Sequence, residues 1–306
     1  MADEIRYSLS TMWAQQDRFE DMHTFAEAAK ELGYDSIEIS HLTPTEQFER
    51  LLDGSGATIS SIHAPAPLVR IDGKRNSSLN LAALDDERDT AIEFTKGSID
   101  RAANVNAGYV VVHLGGITSK MLDSEFKQRK LFDSGTREGP EVEALRSETL
   151  ERRAELALPW FEKARESLAV LAAYAKERGV AIGLENRLHY HEFPLPQEAL
   201  ELCADYPAEL VGYWHDVGHA EVQARLGYVD KRAWLDTNKE RTLGCHLHDV
   251  DGLGDHRAPG NGDVEWDYIS EGLPRSALWV LEINQRQADE DVRGAIGFLR
   301  ERGVID

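Results

Sequence analysis

The chain has 306 residues, and its 34 Lys and Arg stand against 55 Asp and Glu for a formal charge of −21. That sign argues against a nucleic-acid partner, whose phosphates call for a basic surface. Two cysteines, Cys203 and Cys245, build no disulfide framework and fit a reducing compartment. A chain of this length buries a core without such staples. Residues 1–6 are acidic and lack the apolar run of a secretory signal, and no stretch approaches the ~18 apolar residues of a membrane span. A cytoplasmic protein with no membrane partner is expected.

Short apolar runs alternate with longer amphipathic stretches along the whole chain, the pattern of repeated βα units. Strands are predicted at 5–10, 36–40, 58–63, 109–114, 180–185, 210–215, 242–248 and 277–283. Most are apolar at nearly every position, with Tyr109-Val110-Val111-Val112 the clearest, as suits parallel strands covered on both faces. Helices are predicted at 19–32, 88–104, 150–178 and 289–302, and Gly33, Gly179 and Gly303 follow three of them as C-terminal caps. Eight such units in one chain predict a (β/α)8 barrel, read as a single domain over 1–306. A charged βα excursion is expected at about 115–147. An open doubly wound sheet is the rival, but no predicted strand leads into a G-x-G-x-x-G turn.

Polar residues gather at one end of these strands. Strand three closes on His63, strand four on His113, strand five on Glu185-Asn186-Arg187 and strand six on His215-Asp216-Val217-Gly218-His219. Strand seven closes on His246-Leu247-His248-Asp249 and strand eight on Glu282. Singly, each is an ordinary solvated strand end. In a barrel, however, all six would meet at the C-terminal face, where such folds carry their chemistry. Glu185, Asp216 and Glu282 would then crowd together, and buried carboxylates require a cation or a hydrogen-bonded partner. Imidazole mixed with carboxylate suits Zn²⁺, Mn²⁺, Co²⁺ or Fe²⁺ better than Mg²⁺ or Ca²⁺.

Ser61-Ile62-His63-Ala64-Pro65, residues 111–116, Leu184-Glu185-Asn186, His215-Asp216-Val217-Gly218-His219, His246-Leu247-His248-Asp249, residues 255–263 and Leu281-Glu282 together resemble the xylose-isomerase-like TIM-barrel superfamily. That group includes sugar-phosphate isomerases and epimerases, ketose 3-epimerases, hydroxypyruvate isomerases, inosose isomerases and dehydratases, and apurinic-site endonucleases. The resemblance implies one divalent metal ion held by Glu185, Asp216, His246 and Glu282. It also implies carbohydrate chemistry on a sugar, keto-sugar or polyol, by isomerisation or epimerisation through a metal-stabilised enediolate. Glu185 and Glu282 would remove and return the proton. His246 sits three residues before Asp249, as in the family's H-x-x-D pattern, and His248, on the same side of a strand, is the alternative ligand.

His219 resembles a position that contacts substrate or a second metal, and His256 would approach from the loop at 254–266. Substrate contacts are expected from Trp13, Glu38, His63, His113, Arg187, His219, His248 and His256. The glycine-rich 259–262 reads as a turn, with an anion cradle or a lid as alternatives. His189 and His191 read as a solvated loop pair and His215 as pointing away from the interior, while His23 and His41 show no constellation. A dehydratase or other lyase could use the same groups, and a non-catalytic binding barrel is the reading from another class. The three-zinc endonucleases are the other relative. They carry an acid two residues before the loop histidine, where this chain has Gly254 and places Asp255 next door. Superfamily members often assemble, so a homo-oligomer is compatible with the sequence.

Overall fold

The computed structural model describes residues 7–306. Eight parallel strands close into a barrel: β1 (Tyr7–Ser10), β2 (Ser36–Ile39), β3 (Ile59–His63), β4 (Tyr109–Val112), β5 (Ala181–Glu185), β6 (Val211–Asp216), β7 (Thr242–Leu247) and β8 (Leu278–Leu281), each beside its neighbour in sequence and β8 beside β1. All eight expected strands are present, within a few residues of the expected bounds. The first two residues of the predicted 5–10 strand, like the acidic residues 1–6, lie outside the described residues. Nearly every strand position is buried, because helices cover the outer face and side chains fill the inner one.

The helices are α1 (Met22–Glu31), α2 (Thr45–Leu52), α3 (Glu87–Asn104), α4 (Asp123–Asp133), α5 (Pro140–Arg178), α6 (Pro196–Ala204), α7 (Val217–Arg225), α8 (Lys231–Asn238), α9 (Asp267–Gly272) and α10 (Asp289–Glu301). Two differ from expectation. The predicted 19–32 helix divides at Asp21, whose side chain accepts the His23 N–H at 3.1 Å and so starts α1 afresh after a short 3-10 turn. The 150–178 helix instead starts at Pro140 and runs for 39 residues, with the proline in the first turn where its missing N–H costs nothing. Gly179 ends it in the left-handed region at φ +67°. The charged excursion is therefore helical: it holds α4 and the opening turns of α5, which pack on each other. Among the described residues, no helix is long and apolar enough to cross a membrane.

The barrel interior is layered. Trp214 fills its middle with Val111, Leu278 and Val280, all buried. Room for the indole comes from two neighbouring strands: a Cβ on Gly183 would stand 2.7 Å from the ring, and one on Gly244 would overlap it. Above this floor the register Glu185↔Trp214, Asp216↔His246 and Val280↔His246 raises the polar strand ends to one level.

Candidate metal centre and active site

Period-two alternation turns the last inward residues of β5, β6, β7 and the segment after β8 toward one point. One atom each from Glu185, Asp216, His246 and Glu282 lies within 4.8 Å of the others, and all four residues are buried. Nδ1 of His246 faces Glu282 Oε2 at 3.2 Å and Glu185 Oε1 and Asp216 Oδ2 at 3.6 Å each, yet makes no hydrogen bond. The opposite nitrogen, Nε2, is 3.0 Å from Glu38 Oε1. The His246 ring stands edge-on to Trp214, with centroids 5.5 Å apart.

His248 is engaged at both nitrogens. Its Nε2 lies 3.0 Å from each Asp216 oxygen, and its Nδ1 accepts the His256 N–H at 2.9 Å. Only glycine at 218 lets the first turn of α7 approach this ring so closely. Asp216 caps α7, accepting the His219 N–H at 2.7 Å. Asn186, the residue after β5, braces it, accepting the Asp216 N–H at 2.7 Å and donating to its carbonyl at 2.8 Å. His215 faces outward as expected, 2.8 Å from the Tyr213 hydroxyl, and burial lowers it to about 3, so the ring is neutral.

A second group forms on the β3–β5 side. His63 Nε2 lies 3.0 Å from Glu185 Oε2, His113 Nε2 lies 2.7 Å from the same oxygen, and the two nitrogens are 2.6 Å apart. His63 also spans to Glu282, with Nδ1 3.3 Å from Oε1. Arg187 joins them, its guanidinium 2.6 Å from His113 Nε2 and 3.4 Å from Glu185 Oε1.

A third group forms on the loop. His256, at φ +57°, turns its ring so that Nδ1 lies 3.0 Å from Asp255 Oδ1, while Asp255 Oδ2 is 3.8 Å from His219 Nε2. The acid next to the loop histidine, rather than one at position 254, thus reaches the site. The left-handed residue lets adjacent side chains face one site, which counting along an extended chain does not foresee.

Burial alone favours the neutral form of each carboxyl, but the imidazoles reverse it. His113 and His63 hold Glu185 well below the usual carboxylate range, His219 and His248 do so for Asp216, and His246 and His256 for Glu282. In return, and against their own burial, His63 is raised to about 9 by Glu185 and Glu282, and His246 and His256 are raised well above the ordinary value. His113 departs from this pattern: burial and Arg187 lower it to about 4.

Two expected substrate contacts are elsewhere. Trp13 is fully buried, donates to the Gln287 carbonyl at 3.0 Å and packs on Phe19 and Phe25, so it is core. Glu38 lies beyond His246, its oxygens taken by that ring and by the Ser61 hydroxyl at 2.7 Å. The 259–262 turn is no free anion cradle, because the Gly260 N–H is bound to Asp249 at 2.9 Å. Nor are His189 and His191 a solvated pair: His189 binds the buried Glu125 at 3.0 Å, and His191 is buried beside it.

One site residue went unforeseen. His41 packs edge-on against His63 with centroids 4.7 Å apart, and its Nδ1 has no hydrogen-bond partner. It follows β2 by two positions, and the strand-end rule that singled out His63 and His113 would have found it had the predicted strand run one residue further.

Comparison with known proteins finds the same fold in solved structures. A solved D-psicose 3-epimerase with D-tagatose from Clostridium cellulolyticum H10 is 16% identical, with a TM-score of 0.65 over 97% of this chain and 99% of that one. A solved 3-keto-D-glucoside 4-epimerase, YcjR, from E. coli is 15% identical, with a TM-score of 0.64 over 97% of this chain and all of that one. An uncharacterised protein, y4fM, of Sinorhizobium fredii (strain NBRC 101917 / NGR234) is 27% identical over 188 residues, which span 61% of this chain and about half of that relative. The family model for the xylose isomerase-like TIM barrel matches residues 26–302, and the chain belongs to that family.

Proposed function

We propose that the chain is a divalent-metal-dependent isomerase or epimerase of a sugar, keto-sugar or polyol. One observation carries the reading. Three buried carboxylates and one imidazole converge at the mouth of the barrel, and His246 turns an unpartnered nitrogen toward all three. That donor set fits a borderline cation such as Mn²⁺, Zn²⁺, Co²⁺ or Fe²⁺, with Glu185, Asp216, His246 and Glu282 as its holders. When bound, such an ion polarises a substrate carbonyl and steadies the charge that builds as the neighbouring C–H is broken.

The protein's own groups do the rest. Glu185 and Glu282 take the carbon-bound proton and return it. His63, bridging Glu185 and Glu282, gives that proton a hydrogen-bonded route between them. Arg187, His113, His219 and His256 border the same space and hold the substrate hydroxyls. His248, bound to Asp216, keeps that ligand oriented rather than binding metal itself.

The test is a panel of keto-sugars and inososes incubated in D₂O, with products followed by NMR and mass spectrometry. Deuterium should enter the substrate at carbon, and Glu185→Gln and Glu282→Gln should each abolish exchange. Full activity in both variants sinks the mechanism, and unsaturated or shortened products move the chemistry to a lyase.

The groups His63–His113–Glu185 and His219–Asp255–His256 favour a second reading, a three-zinc phosphodiesterase like the apurinic-site endonucleases. It predicts three zinc ions per chain and cleavage of abasic duplex DNA, and the charge of −21 weighs against it.

A further inference from the structure

The corner formed by His63, His113 and Glu185 contains more polar contacts than its hydrogens can serve. A neutral ring nitrogen offers either one hydrogen or one lone pair. His113 Nε2 has three partners in reach: His63 Nε2 at 2.6 Å, Glu185 Oε2 at 2.7 Å and the Arg187 guanidinium at 2.6 Å. Arg187 alone among them is always a donor. Any lone pair on His113 Nε2 faces the guanidinium at 2.6 Å, so a metal ion using this nitrogen would compete with that N–H beside a fixed positive charge.

That arginine is anchored from several directions. Its Nε lies 3.3 Å from Glu192 Oε1, and its carbonyl accepts from Gln223 Nε2 at 2.6 Å. The following loop is tied to α4. Glu125, fully buried, takes His189 Nδ1 at 3.0 Å and the Tyr190 N–H at 3.2 Å, and Arg129 donates to the Leu188 carbonyl at 2.9 Å. The charged excursion thus clasps the loop that carries Arg187, and the guanidinium cannot leave the corner without breaking buried contacts.

We propose that Arg187 is the resident cation of the His63–His113–Glu185 corner and keeps a second divalent ion out of it. The inference rests on the reading that Glu185, Asp216, His246 and Glu282 hold one ion, and it adds why the adjacent donors do not hold another. Glu185 belongs to both groups, so a guanidinium at 3.4 Å from its Oε1 neutralises part of the charge a second ion would need.

The experiment is metal stoichiometry. The full chain is stripped with chelator, loaded with Zn²⁺, desalted and counted by elemental analysis, with circular dichroism confirming each variant's fold. Arg187→Met should gain one zinc per chain over wild type, and Arg187→Met/His113→Ala should lose that gain. Arg187→Lys, which keeps the charge, should retain the wild-type count, and Arg187→Gln stands in if the methionine variant fails to fold. No gain in either neutral variant overturns the proposal while leaving the one-ion reading intact. A wild-type chain that already loses one zinc on His113→Ala also overturns it, without any Arg187 variant. Wild type that retains no zinc at all overturns the one-ion reading and the proposal with it.

Discussion

Nε2 of His246 lies 3.0 Å from Oε1 of Glu38, on the far side of the imidazole from Glu185, Asp216 and Glu282. Glu38 also accepts the Ser61 hydroxyl at 2.7 Å, so its carboxylate is fixed across the barrel from β7. An acceptor there keeps a ring hydrogen on Nε2 and leaves Nδ1 as the nitrogen that faces the three carboxylates. A carboxylate–imidazole pair of this kind sets both tautomer and orientation of a metal ligand. Glu38→Gln preserves volume but can present an amide N–H to the ring, and it is expected to weaken metal binding about 10- to 100-fold. Calorimetric titration with Mn²⁺ measures this, and unchanged affinity removes Glu38 from any role at the centre.

Metal binding should also appear as stability. An ion that binds only the folded chain adds about 2.7 kcal/mol at a free concentration one hundred times its dissociation constant. Thermal unfolding in Mn²⁺ against chelator should therefore separate by several degrees. Glu282→Gln, which removes one of the three facing carboxylates, should collapse that separation. Equal melting temperatures for wild type with and without metal count against the centre.

The floor of the site makes a separate demand. Trp214 touches the backbone of both neighbouring strands, and His246 stands on its edge. Gly244→Ala puts a methyl group into the indole, and overpacking of this kind costs about 1–3 kcal/mol. Because Trp214 cannot move up without displacing His246, metal affinity should fall together with stability. Urea unfolding and a metal titration on the same variant check both. Lost stability with wild-type affinity would show that the floor and the site are independent.

These dependencies mark where sequence reasoning stops. The eight strands follow from their apolar runs, and the strand-end rule places Glu185, Asp216 and Glu282 together because alternation along a strand is a local property. His246 and His248, by contrast, share one side of their strand, and only the family resemblance chose between them. Glu38 obeys the same alternation, but its partner lies across the barrel, and no local pattern distinguishes a substrate contact from a brace on His246. Trp13 likewise follows β1 where a stacking platform could stand, and only the packing of Phe19 and Phe25 makes it core. Asp255 enters the site through the left-handed His256, a backbone choice that residue spacing does not encode. The clasp of Glu125 on His189 depends on α4 folding back over the β5 loop, a contact between residues 64 apart.

The anchor of Arg187 has a pH signature of its own. Burial disfavours ionisation of Glu192, but Arg187, helped by His189 and His191, outweighs it and holds the carboxyl down to about 2 from its ordinary 4.5. A carboxyl whose folded value is depressed contributes stability that is present above its unfolded value and is lost as pH falls toward the folded one. For Glu192 that window runs from about 4.5 down to about 2, and the shift corresponds to at most about 3 kcal/mol. Glu192→Gln cannot ionise, so it should be less stable than wild type at pH 7 by up to this amount. The difference should narrow steadily as pH falls through the window. Urea unfolding at pH 7, 4 and 3, followed by circular dichroism, reads the difference directly. A gap that stays constant from pH 7 to pH 3 would mean that Glu192 holds Arg187 by shape rather than by charge.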